Sequence, residues 1–339
     1  MRIQPFRNLR IFRTCAIILA AAELALLPAS GLEAITNQVF QVSPGGNLVI
    51  AADRGSIDIV TADTNAVGLT VIREVKRATD SQAKELLERH QLTWAQSGNT
   101  ITVKARMPSE YRNWRGPNLS VRYQVTVPKQ FNLDLDTSGG SISVAEIQGQ
   151  LKLETSGGSI SAGEVDGTVK ANTSGGSIKI AGVTGAATVD TSGGSIELGV
   201  MGGSVDADTS GGSIRIRSAT GPVKAKTSGG SIELGDMAGP VQADTSGGSI
   251  TAKFPKSPTG DSHLETSGGG ITVLVGDSVG FDLDAECSGG RVTSDVSVAS
   301  QGKPNKSELR GQIAGGGPKL VLRTSGGGIR VKPLVVAVN

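Results

Sequence analysis

The chain has 339 residues, of which 48 are Gly and only 3% are aromatic, too little aromatic bulk for the core of an ordinary compact globule of this length. A hydrophobic content of 37%, set at fixed intervals, excludes a disordered Gly/Ser-rich chain and suits thin, stacked coils. The formal charge of +2 gives no electrostatic footprint for nucleic acid or anionic lipid.

Residues 1–34 read as a secretory signal peptide. Arg2, Arg7, Arg10 and Arg13 form a basic start, Cys15 to Leu27 is apolar, and the small residues Ala29, Ser30, Gly31 and Ala34 follow. The apolar run carries Glu23 and is shorter than the roughly 20 residues a membrane-spanning helix needs. No lipobox surrounds Cys15. The expected destination is outside the cytoplasm: periplasm, cell surface or medium. Cleavage after Ala34 takes the charge from +2 to zero and leaves Cys287 as the sole cysteine, which excludes a disulfide framework.

Residues 38–130 read as an irregular α+β capping region, because an open coil end is a row of unpaired strand groups. Leu48 to Ile59 fits a degenerate first coil. Asp80 to Gln91 has a helical pattern, with Leu86 and Leu87 as its apolar contribution and Glu85 four residues before Arg89. Strands are expected at Thr100–Lys104 and Ser120–Val127, the second stopped by Pro128.

Residues 131–332 carry the strongest signal. The hexapeptide T-S-G-G-S-I starts at Thr137, Thr155, Thr173, Thr191, Thr209, Thr227 and Thr245, always 18 residues apart. Looser copies start at Thr266, Cys287 and Thr324, after steps of 21, 21 and 37. In one unit, Val223–Thr227 alternates apolar and polar, Ser228-Gly229-Gly230 makes a turn, and Ser231–Leu234 alternates again. The turn glycines are expected at positive φ. Gly239 closes the coil, as Gly149, Gly167, Gly185, Gly203 and Gly221 do before it.

The fold class is therefore all-β: a parallel β-solenoid of 18-residue coils stacked in chain order about 4.8 Å apart, ten of them making a rod of roughly 50 Å. Alternation sends Leu151, Val169, Val205, Val223 and Val241 inward on one wall, and Ile160, Ile178, Ile196, Ile214, Ile232 and Ile250 on the other. The repeated Thr also points inward, and Cys287 takes its place in one coil. Residues 333–339 form an apolar tail.

The recurring S-G-G-x-I coils and the closing Gly resemble those of the bacterial "putative adhesin" proteins of unknown function, over residues 38 to about 332. That resemblance implies a role at the cell surface or envelope and no particular activity.

No catalytic set is legible. Polysaccharide-cleaving β-helices need clustered carboxylates with a basic partner and aromatic platforms for sugar rings. Here Trp94, Tyr111, Trp114 and Tyr123 all fall outside the perfect repeats, and His90 and His263 have no evident partner. The Gly-Gly-Ser runs form neither a nucleophile elbow nor a phosphate loop. Calcium inside the coils is disfavoured, since the inward positions are Ile, Leu, Val or Ala. Ice binding needs outward Thr, and these face in.

Two outward files remain. One runs Ser143, Ser161, Lys179, Glu197, Arg215, Glu233, Thr251, with signs that alternate along its charged part. The other is acidic: Asp136, Glu154, Asn172, Asp190, Asp208, Lys226, Asp244. Asp190, Asp206 and Asp208 are the candidate ligands for a weak surface calcium, and no other cofactor is expected.

The expected function is a non-enzymatic binding surface or rigid spacer for an envelope or host surface polymer or protein. A carbohydrate-active enzyme and a structural protein associating end to end through exposed coil edges are the alternatives. The mature chain is expected to start between Leu32 and Ile35; N-terminal sequencing of the secreted or envelope-bound protein checks this, and an intact Met1 there would refute it.

Overall fold

A computed structural model describes residues 32–108, 118–300 and 305–335. Most of the expected signal peptide, Tyr111, Trp114 and the end of the apolar tail lie outside these residues. The described chain begins in a strand, Leu32–Gln41, which pairs antiparallel with Ala66–Lys76.

The repeat folds as its alternation demands. Each perfect coil lays down two strands, such as Val223–Thr227 and Ile232–Met237, on opposite walls of a narrow core. Each pairs in parallel with its equivalents 18 residues away: Val205, Val223 and Val241 stand in one file, and Ile214, Ile232 and Ile250 in another. All these residues are at most 3% exposed. Met201, Met237 and Phe254 fill the space beside them, and Phe254 meets Phe281 edge to face at 5.3 Å.

The hexapeptide is explained by what stacked backbones require. Thr191 Oγ1 donates to the carbonyl of Gly176 one coil earlier (2.8 Å) and accepts from the Gly194 N–H (3.3 Å). The first Ser supplies a carbonyl: Ser174 O accepts from the Gly193 N–H at 3.1 Å. The second supplies a hydroxyl: Ser177 Oγ accepts from the Ser195 N–H at 3.2 Å. The same bonds recur coil after coil, so these groups of the turn are satisfied by its neighbours.

The turn glycines are not where they were expected in conformational space. Positive φ occurs at Gly45, Gly55, Gly98, Gly149, Gly167, Gly315 and Gly316, and none of these belongs to a T-S-G-G-S-I turn. Close approach is the reason for Gly instead. A methyl group on Gly194 would overlap the carbonyl oxygen of Gly176, whereas one on Gly193 would sit at ordinary contact, 3.5 Å from the Gly175 carbonyl.

The ends correct the expectation that coils stack in chain order. The degenerate coil Gly46–Ala52 with Ser56–Ala62 is second from the end. On one side it pairs with Phe131–Thr137 and Ile142–Val144. On the other it pairs with Thr100–Arg106 and Asn118–Pro128, the outermost coil. The other end is built the same way. Ser262–Thr266 and Ile271–Val275 pair with Lys319–Thr324 and Ile329–Pro333, which in turn pair with Phe281–Cys287 and Val292–Ser294. Eleven parallel pairings thus join twelve strands on the first wall, a rod of about 53 Å at ladder spacing.

Antiparallel strands close both outermost coils. Gln91–Ser97 pairs with Thr100–Arg106, and Ala66–Lys76 with Asn118–Pro128. Glu308–Ile313 covers Phe281–Cys287, and Val298–Ser300 pairs with Glu308–Ile313. The outer sides of Thr100–Arg106, Asn118–Pro128 and Phe281–Cys287 are therefore paired, while Leu32–Gln41, Gln91–Ser97 and Val298–Ser300 each pair with a single strand and become the new edges. One helix, Asp80–Arg89, lies over the first end; Thr79 and Gln82 form its capping box, and Ala83, Leu86 and Leu87 are its buried face. It stops two residues before the expected Gln91.

Gly194→Ala should cost at least about 3 kcal/mol and melt several coils together, since a Cβ there cannot be accommodated without separating two backbones. Gly193→Ala should cost under about 1 kcal/mol. Thermal and urea unfolding of the pair checks this, and equal losses would contradict the stacking account.

Candidate functional site

Outward side chains on the first wall form one continuous file over ten strands. It runs Val49, Asp134, Lys152, Lys170, Thr188, Asp206, Lys224, Gln242, His263 and Val321. Two open cavities, of about 570 and 620 Å³, lie end to end along it and share Thr188. Nine ladder spacings make this groove about 43 Å long. Asn132, Gln150, Thr168 and Ser204 line its side with amides and hydroxyls, and Pro222 and Pro240 stiffen it.

Charge along the groove alternates in pairs. Lys152 meets Asp134 and Glu154 at 3.3 Å each, and Lys224 meets Asp206 at 2.9 Å. Burial opposes the Lys152 charge, but hydrogen bonds to Asp134 and Glu154 outweigh it and hold the ammonium above its ordinary pKa. The hydrogen bond to Asp206 does the same for Lys224. These pairs are open to solvent, which screens them, so each contributes little to stability. On the second wall Lys179 pairs with Glu197 at 3.3 Å and Arg215 with Glu233 at 2.8 Å, the cross-coil pairs expected there. A third cavity, of about 540 Å³, opens beside them, with Gly199 and Gly235 in its lining.

The acidic file stands in the expected register, with Asp190 beside Asp208 and Asp208 beside Lys226. Burial first, and then Asp190 and Asp206, push the Asp208 carboxyl above its usual range. Asp206 faces the same side, but both its oxygens accept from Lys224, at 3.0 and 2.9 Å. That leaves two carboxylates where a hard cation needs more oxygen ligands. Among the described residues no group of three His, Cys, Asp or Glu is arranged to hold a metal.

A different cluster is buried under the helix. His90 is the C-cap of the helix, 2% exposed, and neither ring nitrogen has a hydrogen-bond partner. Tyr123 is 0% exposed on the strand Asn118–Pro128, its hydroxyl likewise unpartnered. Arg73 is on the inner face of Ala66–Lys76, opposite Val121, and its Nη1 donates to the carbonyl of Leu87 at 3.3 Å. Its Nε is buried without a partner, and so is that of Arg54, in the turn between the two strands of the degenerate coil. Gly55, at φ +111°, lets this turn lie against the Tyr123 ring, where a methyl would come within 3.0 Å of Cε2. Burial, and then Arg73 and Arg54, hold His90 down to about 4 against a partly compensating Asp53. Burial pushes the Tyr123 phenol up.

A family model described as Toastrack DUF4097 matches residues 46–332. The chain belongs to the Toastrack DUF4097 family. No curated protein matches it. Among solved structures, a "putative cell adhesion protein" from Clostridium sporogenes is similar at 11% identity, over 88% of this chain and 100% of that one, with a TM-score of 0.20. A "putative adhesin" from Bacteroides fragilis is similar at 13% identity, over 88% and 97%, with a TM-score of 0.28. A "putative adhesin" from Parabacteroides merdae is similar at 8%, over 89% and 96%, with a TM-score of 0.32.

In this Toastrack chain the two histidines lie in unlike settings. His263 is half-buried on the groove with Nε2 3.1 Å from Glu265, a partner two residues away on the same strand. Cys287 is 2% exposed and stands in register with Thr324, as its place in the repeat implied. The groove was missed because its side wall combines strand residues such as Asn132, Gln150 and Thr168 with turn residues such as Ser204, Pro222 and Pro240, whose common line becomes visible only when the coils are stacked.

The cap should loosen in acid. An unfolded His takes a proton near pH 6.5 and native His90 only near 4, so between these values the unfolded chain binds more protons and stability falls as pH falls. Arg73 from the strand beside it and Arg54 from the turn oppose the added charge; Asp53 favours it and Tyr123 carries none at these pH values. The loss should approach about 3 kcal/mol by pH 4. Hydrogen exchange of the helix from pH 7 to 4 checks it, with His90→Asn expected to flatten the dependence.

Proposed function

We propose that this chain is an exported, non-enzymatic rod that offers an adhesin-like binding surface at the cell envelope. The carrying observation is the straight groove of about 43 Å, in which outward files from ten strands are held in register by the ladder. A groove of that form suits an extended ligand lying parallel to the rod, such as an envelope or host surface polymer. Its polar sides and paired charges can be shared with hydroxyl, amide or charged groups of such a ligand. The basic and then apolar leader supports export. Among the described residues no helix is long and apolar enough to cross a membrane.

The lining supports binding better than chemistry. Of the two histidines, one is buried in the cap and the other is half-buried on the groove, where it pairs with Glu265 of its own strand and not with an acid on the facing side of a cleft. Calcium enters this reading only as a weak surface cation at Asp190, Asp206 and Asp208, for which Lys224 competes at Asp206.

Titration against envelope glycans and surface proteins should find a saturable ligand that remains uncleaved on prolonged incubation. Lys152→Glu with Lys224→Glu should weaken it at least about tenfold, equivalent to about 1.4 kcal/mol. Turnover of the ligand, or affinity unchanged in the double variant, would refute the groove as a non-enzymatic binding surface.

A further inference from the structure

Among the described residues, five buried side-chain polar atoms lack a hydrogen-bond partner, and all five lie in one place: Arg54 Nε, Arg73 Nε, both ring nitrogens of His90, and the Tyr123 hydroxyl. Everywhere else the repeat satisfies its buried groups, so this concentration has a local cause. Native proteins leave such groups unpaired where an ion, water or ligand belongs. Four of these atoms can donate at once: two guanidinium N–H groups, a phenol and one imidazole N–H. The charge points the same way. The carboxylate of Asp53 accepts from Arg106 Nη1 at 2.8 Å and from the Met107 N–H at 3.0 Å, while Arg54 and Arg73 face the cluster and, among the described residues, neither is within ion-pair distance of a carboxylate.

We propose that Arg54, Arg73, His90 and Tyr123 form a binding site for a small oxyanion, a carboxylate or a phosphate, seated between the end of the helix and the outer coils of the N-terminal cap. Guanidinium groups suit the planar or tetrahedral oxygens of such anions, and charge-assisted bonds there replace solvent that His90 and Tyr123 have lost. The helix presents its carbonyl end to this region, which by itself repels an anion. Arg73 offsets that by taking the Leu87 carbonyl with Nη1 and leaving Nε–H toward the cluster. Arg54 and Arg73 are each partly open to solvent, so a small ion has a path in. An oxyanion would also stabilise protonated His90, reversing the effect of the two arginines on it. The site is independent of the long groove and requires no partner macromolecule.

The test uses purified protein with sodium phosphate and sodium acetate, against sodium chloride at the same ionic strength and pH 7. Thermal unfolding should rise by a few degrees and saturate with at least one of the two oxyanions, as expected for a ligand bound only to the folded state. Tyr123→Phe, which keeps the ring and removes only the hydroxyl, and Arg54→Gln should each weaken the effect at least tenfold. If a variant fails to fold, nuclear magnetic resonance of the wild-type His90 ring decides, its pKa rising by about one unit or more when the anion is added. No saturable rise with either oxyanion, an equal rise in both folded variants, or a His90 ring indifferent to the anion would overturn the proposal in favour of a cluster filled by water.

Discussion

Two backbones held one ladder spacing apart, coil upon coil and without offset, are the constraint on which everything else in this molecule rests. At that separation the carbonyl of Gly176 reaches the space that a side chain on Gly194 would occupy, and the same contact recurs at Gly212, Gly230 and Gly248. The inward Thr is fixed by the same geometry, because its hydroxyl bridges a carbonyl of the previous coil and an amide of its own turn. A Val of equal size would fill the volume and orphan both backbone groups. The hexapeptide is thus a list of hydrogen bonds and one steric limit.

The same spacing turns the outer walls into rulers. Side chains in one file stand about 4.8 Å apart whatever their chemistry, so Asp206 and Lys224 pair, Arg215 and Glu233 pair, and Asp190 and Asp208 repel. None of these half-exposed pairs holds the rod together. They oppose a slip of register and set the pattern of charge that a long ligand would meet. A rigid array of weak sites acting on one extended molecule gains by multivalency more than any single contact contributes.

Both ends answer the problem of the open ladder with the same device. The chain builds its outermost coil from an interior segment and tucks a sequence-terminal coil inside it, so Gly46–Ala52 and Lys319–Thr324 are each paired on both sides. Antiparallel strands then pair with the outer sides of Asn118–Pro128, Thr100–Arg106 and Phe281–Cys287. At the first end this closure brings Arg73, Arg54 and Tyr123 against the helix terminus. The polar cluster is a product of the cap and has no counterpart in the perfect repeats.

Sequence alone determined the coil length, the inward files from Val205 to Val241 and from Ile160 to Ile250, the place of Cys287, the helix and the register of both charged files. Each of these depends on period or alternation, which a one-dimensional pattern carries in full. What only the tertiary structure decided depends on contacts between coils. The reason for Gly in the turns is a neighbour's carbonyl and not its own φ. The order of coils at the ends was illegible, because Leu48–Ile59 and Thr324–Val331 match the repeat equally well at the edge or one coil inside it; hydrogen bonding of the strands between them makes the choice. The cluster was hidden for the same reason. Arg54, Arg73, His90 and Tyr123 are spread over 70 positions of sequence with no shared spacing, and only the folding of the cap over the last coil puts them together.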